Sequence, residues 1–129
     1  MSDYTKVNLH EVKDMAAEWG IDGLEARFAR TNLELSNFGV GYEKLAPNFR
    51  VPFGHTHAEQ EEVYVILSGS GRIKVEDEVI ELRQWDMVRV PPGTIRNPEA
   101  GPEGMEVLAI GAPIPAEQDA EMHHGWWSD

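Results

Sequence analysis

The sequence predicts an all-β fold, a sandwich or barrel preceded by a short N-terminal helix, on three observations. Beyond Gly39 the chain breaks into short strand-like runs bounded by turn residues, the rhythm of antiparallel β-structure rather than of helices alternating with parallel strands. Within those runs apolar residues alternate at period two. Helical periodicity, by contrast, is confined to the first twenty residues and a few positions of the tail.

From Asn8 to Trp19, the apolar residues Leu9, Val12, Met15, Ala16 and Trp19 recur every three or four positions. Asn8 is placed to cap and Glu11 stands three residues on, so one helix is expected here, stopped by Gly20. Residues 27–37, with Phe28, Leu33 and Leu35, read as extended. Val40 and Tyr42 alternate, as do Phe49, Val51 and Phe53 in step with His55 and His57. Val63 to Leu67 reads as a buried strand turned by Gly69-Ser70-Gly71. Ile73 and Val75 follow, and Asp77-Glu78 suits a tight hairpin into Val79 to Leu82. Met87 to Val90 is a strand stopped by Pro91-Pro92-Gly93, and Glu106 to Ile110 is the last. The tail from Pro113 is acidic, carries a helical turn over Ala116 to Met122, and ends in His123-His124-Gly125-Trp126-Trp127.

At 129 residues the chain has the length of a single domain, 1–129, that buries a core without staples. Cysteine is absent, which excludes disulfides, thiolate metal sites and thiol catalysis. Neither a signal peptide nor a membrane span is legible, so a soluble cytoplasmic protein is expected. A formal net charge of −12 repels phosphate backbones and anionic lipid, which argues against nucleic acid and membrane surfaces as partners. Gly39-Val40-Gly41 and Gly69-Ser70-Gly71 lack the helix that a phosphate cradle requires, and Ser68 and Ser70 have no triad context.

His55 and His57 lie two apart on an extended segment, which puts both imidazoles on one face with Cβ atoms about 7 Å apart. With Glu62 they make the two-histidine, one-carboxylate set suited to Fe(II) and related divalent ions. Tyr64 and Ile66 share the face of Glu62, so Tyr64 either donates a phenolic proton to a ligand or fills the barrel. Glu59 or Glu61 would replace Glu62 were the register shifted by one. Arg50 suits the surface or the barrel mouth, and His123 and His124 would reach the site only if the tail folded over it.

These residues resemble the cupin superfamily, small double-stranded β-helix barrels of the jelly-roll type. The family's first motif is met by His55, His57, Glu62 and Gly69, with four residues before Glu62 and six after it. Pro91, Pro92 and Gly93 fit the second motif, but Trp85 stands at its leading glycine, Arg96 at its histidine and Ala100 at its asparagine. The resemblance covers roughly 38–112 and is greatest to an uncharacterised group of small single-domain bacterial cupins. It implies a divalent metal (Fe, Mn, Ni or Zn) held by His55, His57 and Glu62 and a small organic ligand in the barrel. Homodimerisation and, as reaction classes, oxygenase, isomerase or lyase are implied too.

Arg96, in place of the fourth ligand, leaves three alternatives. An inward guanidinium near a divalent ion opposes it by several kcal/mol at about 6 Å and an effective dielectric of about 20. The arginine then either pairs with Glu62 in a metal-free pocket or, beside a metal, anchors an anionic group of the substrate, with Tyr64 as a second substrate-binding candidate. Otherwise it points outward onto the acidic surface. A protein without ligand, acting as a structural dimer with a barrel filled by Phe49, Phe53, Tyr64 and Ile66, is a further reading. Trp126 and Trp127 need burial against a sheet or against a neighbouring subunit.

Overall fold

Two long antiparallel strands, β4 (Glu61–Val75) and β7 (Arg96–Ala112), form the spine of this computed structural model, which describes residues 3–129. The sheet runs β1 (Leu24–Phe28), β2 (Gly39–Leu45), β7, β3 (Phe53–His57) and β8 (Ala120–His124). Off this path β4 pairs with β5 (Glu78–Arg83), β6 (Met87–Val90) and β7. The sheet curls into a barrel, as the strand rhythm predicts.

A flat pair as long as β4 and β7 could not curl; register shifts at Ile66/Ser68 and Gly69/Gly71 bend it. Glycine is required there. Gly69 has φ +75°, and a Cβ on it would overlap the Gly104 carbonyl, while one on Gly71 would overlap that of Glu99. The predicted turn at 69–71 is therefore a bend inside one strand, and the last strand begins ten residues earlier than Glu106, at Arg96. The hairpin between β4 and β5 turns at Glu76-Asp77, one residue before the expected place, with Glu76 at φ 53°. Trp85, at the position where the second motif carries glycine, keeps the glycine-like φ of 74°.

The predicted N-terminal helix is broken. Asn8 caps only a 3-10 turn, Leu9–Glu11, and α1 is Met15–Trp19, ended by Gly20 at φ 72°. The cause lies in Asp14, whose Oδ1 accepts from Ala16 N at 3.0 Å and from Ala26 N at 2.9 Å. That carboxylate caps a new helix and docks it on β1, and this tertiary contact outweighs the periodicity of the longer helix. Residues 27–37 are likewise not a strand. β1 ends at Phe28 and the helical turn α2 (Arg30–Leu33) reverses the chain so that Phe28 can pair with Gly41.

The tail is β8 rather than a helical turn. The outer edge of β3 would otherwise leave its N–H and C=O groups unpaired, and Ala120–His124 satisfies them, with Phe53 opposite His124 and His57 opposite Ala120. The terminal tryptophans then pack on their own chain. Trp127 is buried under the Arg50 guanidinium, 4.1 Å from its ring, and Trp126 covers Gly54 with Lys74 Nζ 4.6 Å from its ring. Leu45, Ile66, Ile73, Met105 and Val107 centre the core. No helix among the described residues is long and apolar enough to cross a membrane.

Replacing Gly69 with alanine is expected to cost more than about 2 kcal/mol, since overlap with backbone adds to the strain of positive φ. Gly93→Ala has φ +79° but nothing within 4 Å, so only about 1 kcal/mol of strain is expected. Urea melts of the two variants check this; equal losses would show that the bend tolerates a side chain.

Candidate metal centre

β3 delivers His55 and His57 to one face because its side chains alternate, with Gly54 turned away onto Trp126. β4 brings Glu62 and Tyr64 to the same interior. The nitrogens of both histidines and a Glu62 oxygen lie within 4.8 Å of one another, and no other such group occurs among the described residues. His55 Nε2 is 3.8 Å and His57 Nε2 3.5 Å from Glu62 Oε1. The rings stand nearly perpendicular, 88° apart, so each presents its own nitrogen.

Behind His57 stands Asp119, which no sequence signal marked. Its Oδ1 lies 2.8 Å from His57 Nδ1, while Oδ2 accepts from Glu59 N at 2.9 Å and Gln60 N at 3.0 Å. A carboxylate at Nδ1 holds the proton there and leaves the Nε2 lone pair facing Glu62. The tail thus orients the site without supplying a histidine: His124 packs on Phe53 and His123 lies beside Glu121. Glu61 turns outward to Arg89, Glu59 is exposed, and Arg50 pairs with Glu99 at 2.7 Å.

Arg96 does not point outward. It is fully buried, and its three nitrogens have separate acceptors: Nε donates to Tyr64 Oη at 2.9 Å, one Nη to Thr94 O at 3.0 Å and the other to Glu62 Oε1. The Tyr64 hydroxyl in turn donates to Glu62 Oε1 at 2.7 Å. The turn after β6 delivers this arginine, and β7 then holds it between two strands, opposite His55 on one side and Val75 on the other. Its guanidinium lies behind Glu62 and Tyr64, outside the cavity lining, so it presents no face to a ligand anion.

All recorded bonds to Glu62 fall on Oε1. Oε2 has no partner among the described residues, yet no side-chain oxygen is both sealed and unsatisfied, so Oε2 reaches the cavity. Burial pushes the Glu62 carboxyl up, but the nearby His55, the Arg96 charge and the Tyr64 hydrogen bond outweigh it and hold it at about 2. His55 is shifted down by burial, with the Arg96 and His57 charges adding to the effect against Glu62. Burial and the Glu62 charge keep Tyr64 a phenol. An anionic carboxylate and neutral imidazoles are the states in which these groups bind a divalent transition ion, so the donor set fits one.

The site opens into a cavity of about 600 Å³ whose walls are mostly apolar, with Phe53, Val51, Met105 and Ala109 among them. That is the size range of small-ligand sites. Glu43 of β2 also lines it. This residue was overlooked, although it alternates in step with Gly39 and Gly41.

Removing the arginine should expose how strongly this wall depends on it. Arg96→Met is expected to cost about 3–5 kcal/mol in a urea melt because Glu62 is left buried and unpaired. Adding Glu62→Gln should recover a large part; additive losses would show that the two do not act as a pair.

Residues 41–111 match the family model described as "Cupin domain". An uncharacterised protein of Methanocaldococcus jannaschii, MJ1618, is 30% identical over 92 residues, 67% of this chain and 74% of that protein. A cupin protein of Bacteroides fragilis, BF4112, superimposes with a TM-score of 0.72 at 27% identity, over 92% of this chain and 91% of that one. The polyketide cyclase RemF of Streptomyces resistomycificus gives 0.74 at 22% identity, covering 97% and 87%.

Proposed function

This chain belongs to the cupin domain family, and on that premise we propose that it binds a small organic molecule inside the barrel beside a divalent metal held by His55, His57 and Glu62. The observation that carries the reading is the convergence of three donor atoms within 4.8 Å at the wall of the cavity. When bound, such an ion supplies Lewis-acid polarisation of a ligand oxygen or carbonyl. The chain's own residues do the rest. Asp119 fixes the His57 tautomer, and Arg96 and Tyr64 hold Glu62 by one oxygen while leaving the other toward the cavity. The apolar walls exclude water from the ligand body. Oxygenase, isomerase and lyase chemistry rest on fold analogy alone.

A second reading is favoured by the Arg96–Glu62 pair itself. The guanidinium already neutralises Glu62, so the barrel can serve as a metal-free binding module. In either reading Arg96 acts from within the wall; in the first, attraction of an anionic ligand would fall to the metal. Homodimerisation belongs to the proposal as well: Trp85 and Met87, at the entry to β6, are each 68% exposed and present apolar surface outward.

Elemental analysis of tag-free protein, purified without chelator or nickel resin, tests the metal. Near-stoichiometric transition metal is expected, lost in His57→Ala and bound roughly 10–100-fold more weakly in Asp119→Ala. Absence of metal after reconstitution with iron, manganese, nickel and zinc would overturn the metal reading and leave the metal-free module.

A further inference from the structure

One ionisable group in the cavity has no part in the metal centre. β2, β7 and β4 lie side by side in register, so their inward residues form rows. Glu62 shares its row with Gly39 and Gly111, Tyr64 shares the next with Gly41 and Ala109, and Glu43 stands in the third. On β2 and β7, therefore, the inward positions between Glu43 and the histidines carry glycine or alanine. The Phe28 ring packs over Gly41 and the Gln60 side chain over Gly111, and all of these residues line the cavity.

Among the described residues nothing donates a hydrogen bond to the Glu43 carboxyl and no cation pairs with it, whereas Glu62 is paired with Arg96 and Asp119 with His57. The lining is acidic overall, with Glu43, Glu62, Glu117 and Asp119 against the single guanidinium of Arg30. We propose that Glu43 is the second pole of the ligand site and that it takes the ammonium group of a small organic amine, whose apolar body lies along the cavity toward His55, His57 and Glu62. The proposal rests on the cavity being a ligand site, but not on the metal.

The electrostatics agree with the geometry. Burial, and then the negative charge of Glu62, push the Glu43 carboxyl up to about 7, with Arg96 pulling the other way. The charges that act on it are those of Glu62 from β4 and, from within the wall, Arg96 from β7, while Tyr64 from β4 and His55 and His57 from β3 share the cavity lining with it. Its β1 neighbour is Ala26, and Arg30 lies toward α2. Neutral pH thus finds Glu43 divided between acid and carboxylate. A ligand ammonium supplies the missing countercharge and draws it to the ionised form. A carboxylate ligand would meet two acidic groups instead.

Three probes of one shape, benzylamine, benzyl alcohol and benzoate, separate the possibilities when their effect on the melting temperature of chelator-treated protein is compared. Benzylamine is expected to raise the melting temperature most, and by more at about pH 8 than at about pH 6, because Glu43 ionises between them. Glu43→Gln should fold and lose that shift; Glu43→Asp should keep a smaller one, which covers a failure of the glutamine variant to fold. Equal stabilisation by benzyl alcohol or benzoate, unchanged in Glu43→Gln, would overturn the Glu43 assignment while leaving the cavity a ligand site. No shift from any probe would overturn both.

Discussion

The buried Arg96–Glu62 pair is the constraint around which the interior is arranged. A guanidinium removed from water is tolerated only when its donors are satisfied, and here each of its three nitrogens has its own acceptor, two on β4 and one in the turn before β7. That requirement fixes Tyr64 as an acceptor toward Arg96 and a donor toward Glu62, and it fixes the carbonyl of Thr94. It also decides the character of the site. Where most metal-bearing cupins resemble one another in carrying a histidine ligand, this chain has a cation, and the carboxylate is shared between a permanent positive charge and whatever occupies the cavity. Charge sharing of this kind opposes a divalent ion, while the guanidinium holds one oxygen of Glu62 and leaves the other free.

Local features of the site were legible in the sequence, and non-local ones were not. His55, His57 and Glu62 converge because strand alternation and the spacing between them are properties of neighbouring residues, which the motif records. Met87–Val90 was readable for the same reason: a short strand bounded by a proline pair. Arg96 was identified as the residue that would decide the behaviour of the site, but its direction depends on β7 starting ten residues before its apolar run. Pairing with β3 and β4 extends that strand through Pro98 and Gly101, where no strand propensity exists. The N-terminal helix failed for a related reason. Asp14 bonds across to β1, and no periodicity encodes that contact.

The tail shows how an unremarkable segment becomes part of a site. Its sequence is acidic and its apolar positions are sparse, which is why it reads as a solvated end. Yet β3 has one edge to cover and His57 has one ring nitrogen to satisfy, and Ala120–His124 with Asp119 immediately before it meets both needs. The register that pairs His57 with Ala120 is the register that places Asp119 on Nδ1. Docking of the tail and orientation of the imidazole are therefore one event, and the same strand closes the barrel near the cavity it lines through Met122.

A barrel of this size is ordinarily filled by its own side chains. Here the inward positions at 39, 41, 109 and 111 carry glycine or alanine; Phe28 covers Gly41 and Gln60 covers Gly111, and a cavity of about 600 Å³ still remains beside Glu62 and Glu43. Glycine in a strand interior forgoes packing and costs conformational entropy. Three glycines and an alanine side by side, with Glu62 at one end and Glu43 at the other, leave the empty barrel less stable than a fully packed one. That arrangement is intelligible when the missing side chains are replaced by a ligand, whose apolar body restores the contacts and whose polar ends meet the two carboxyl groups.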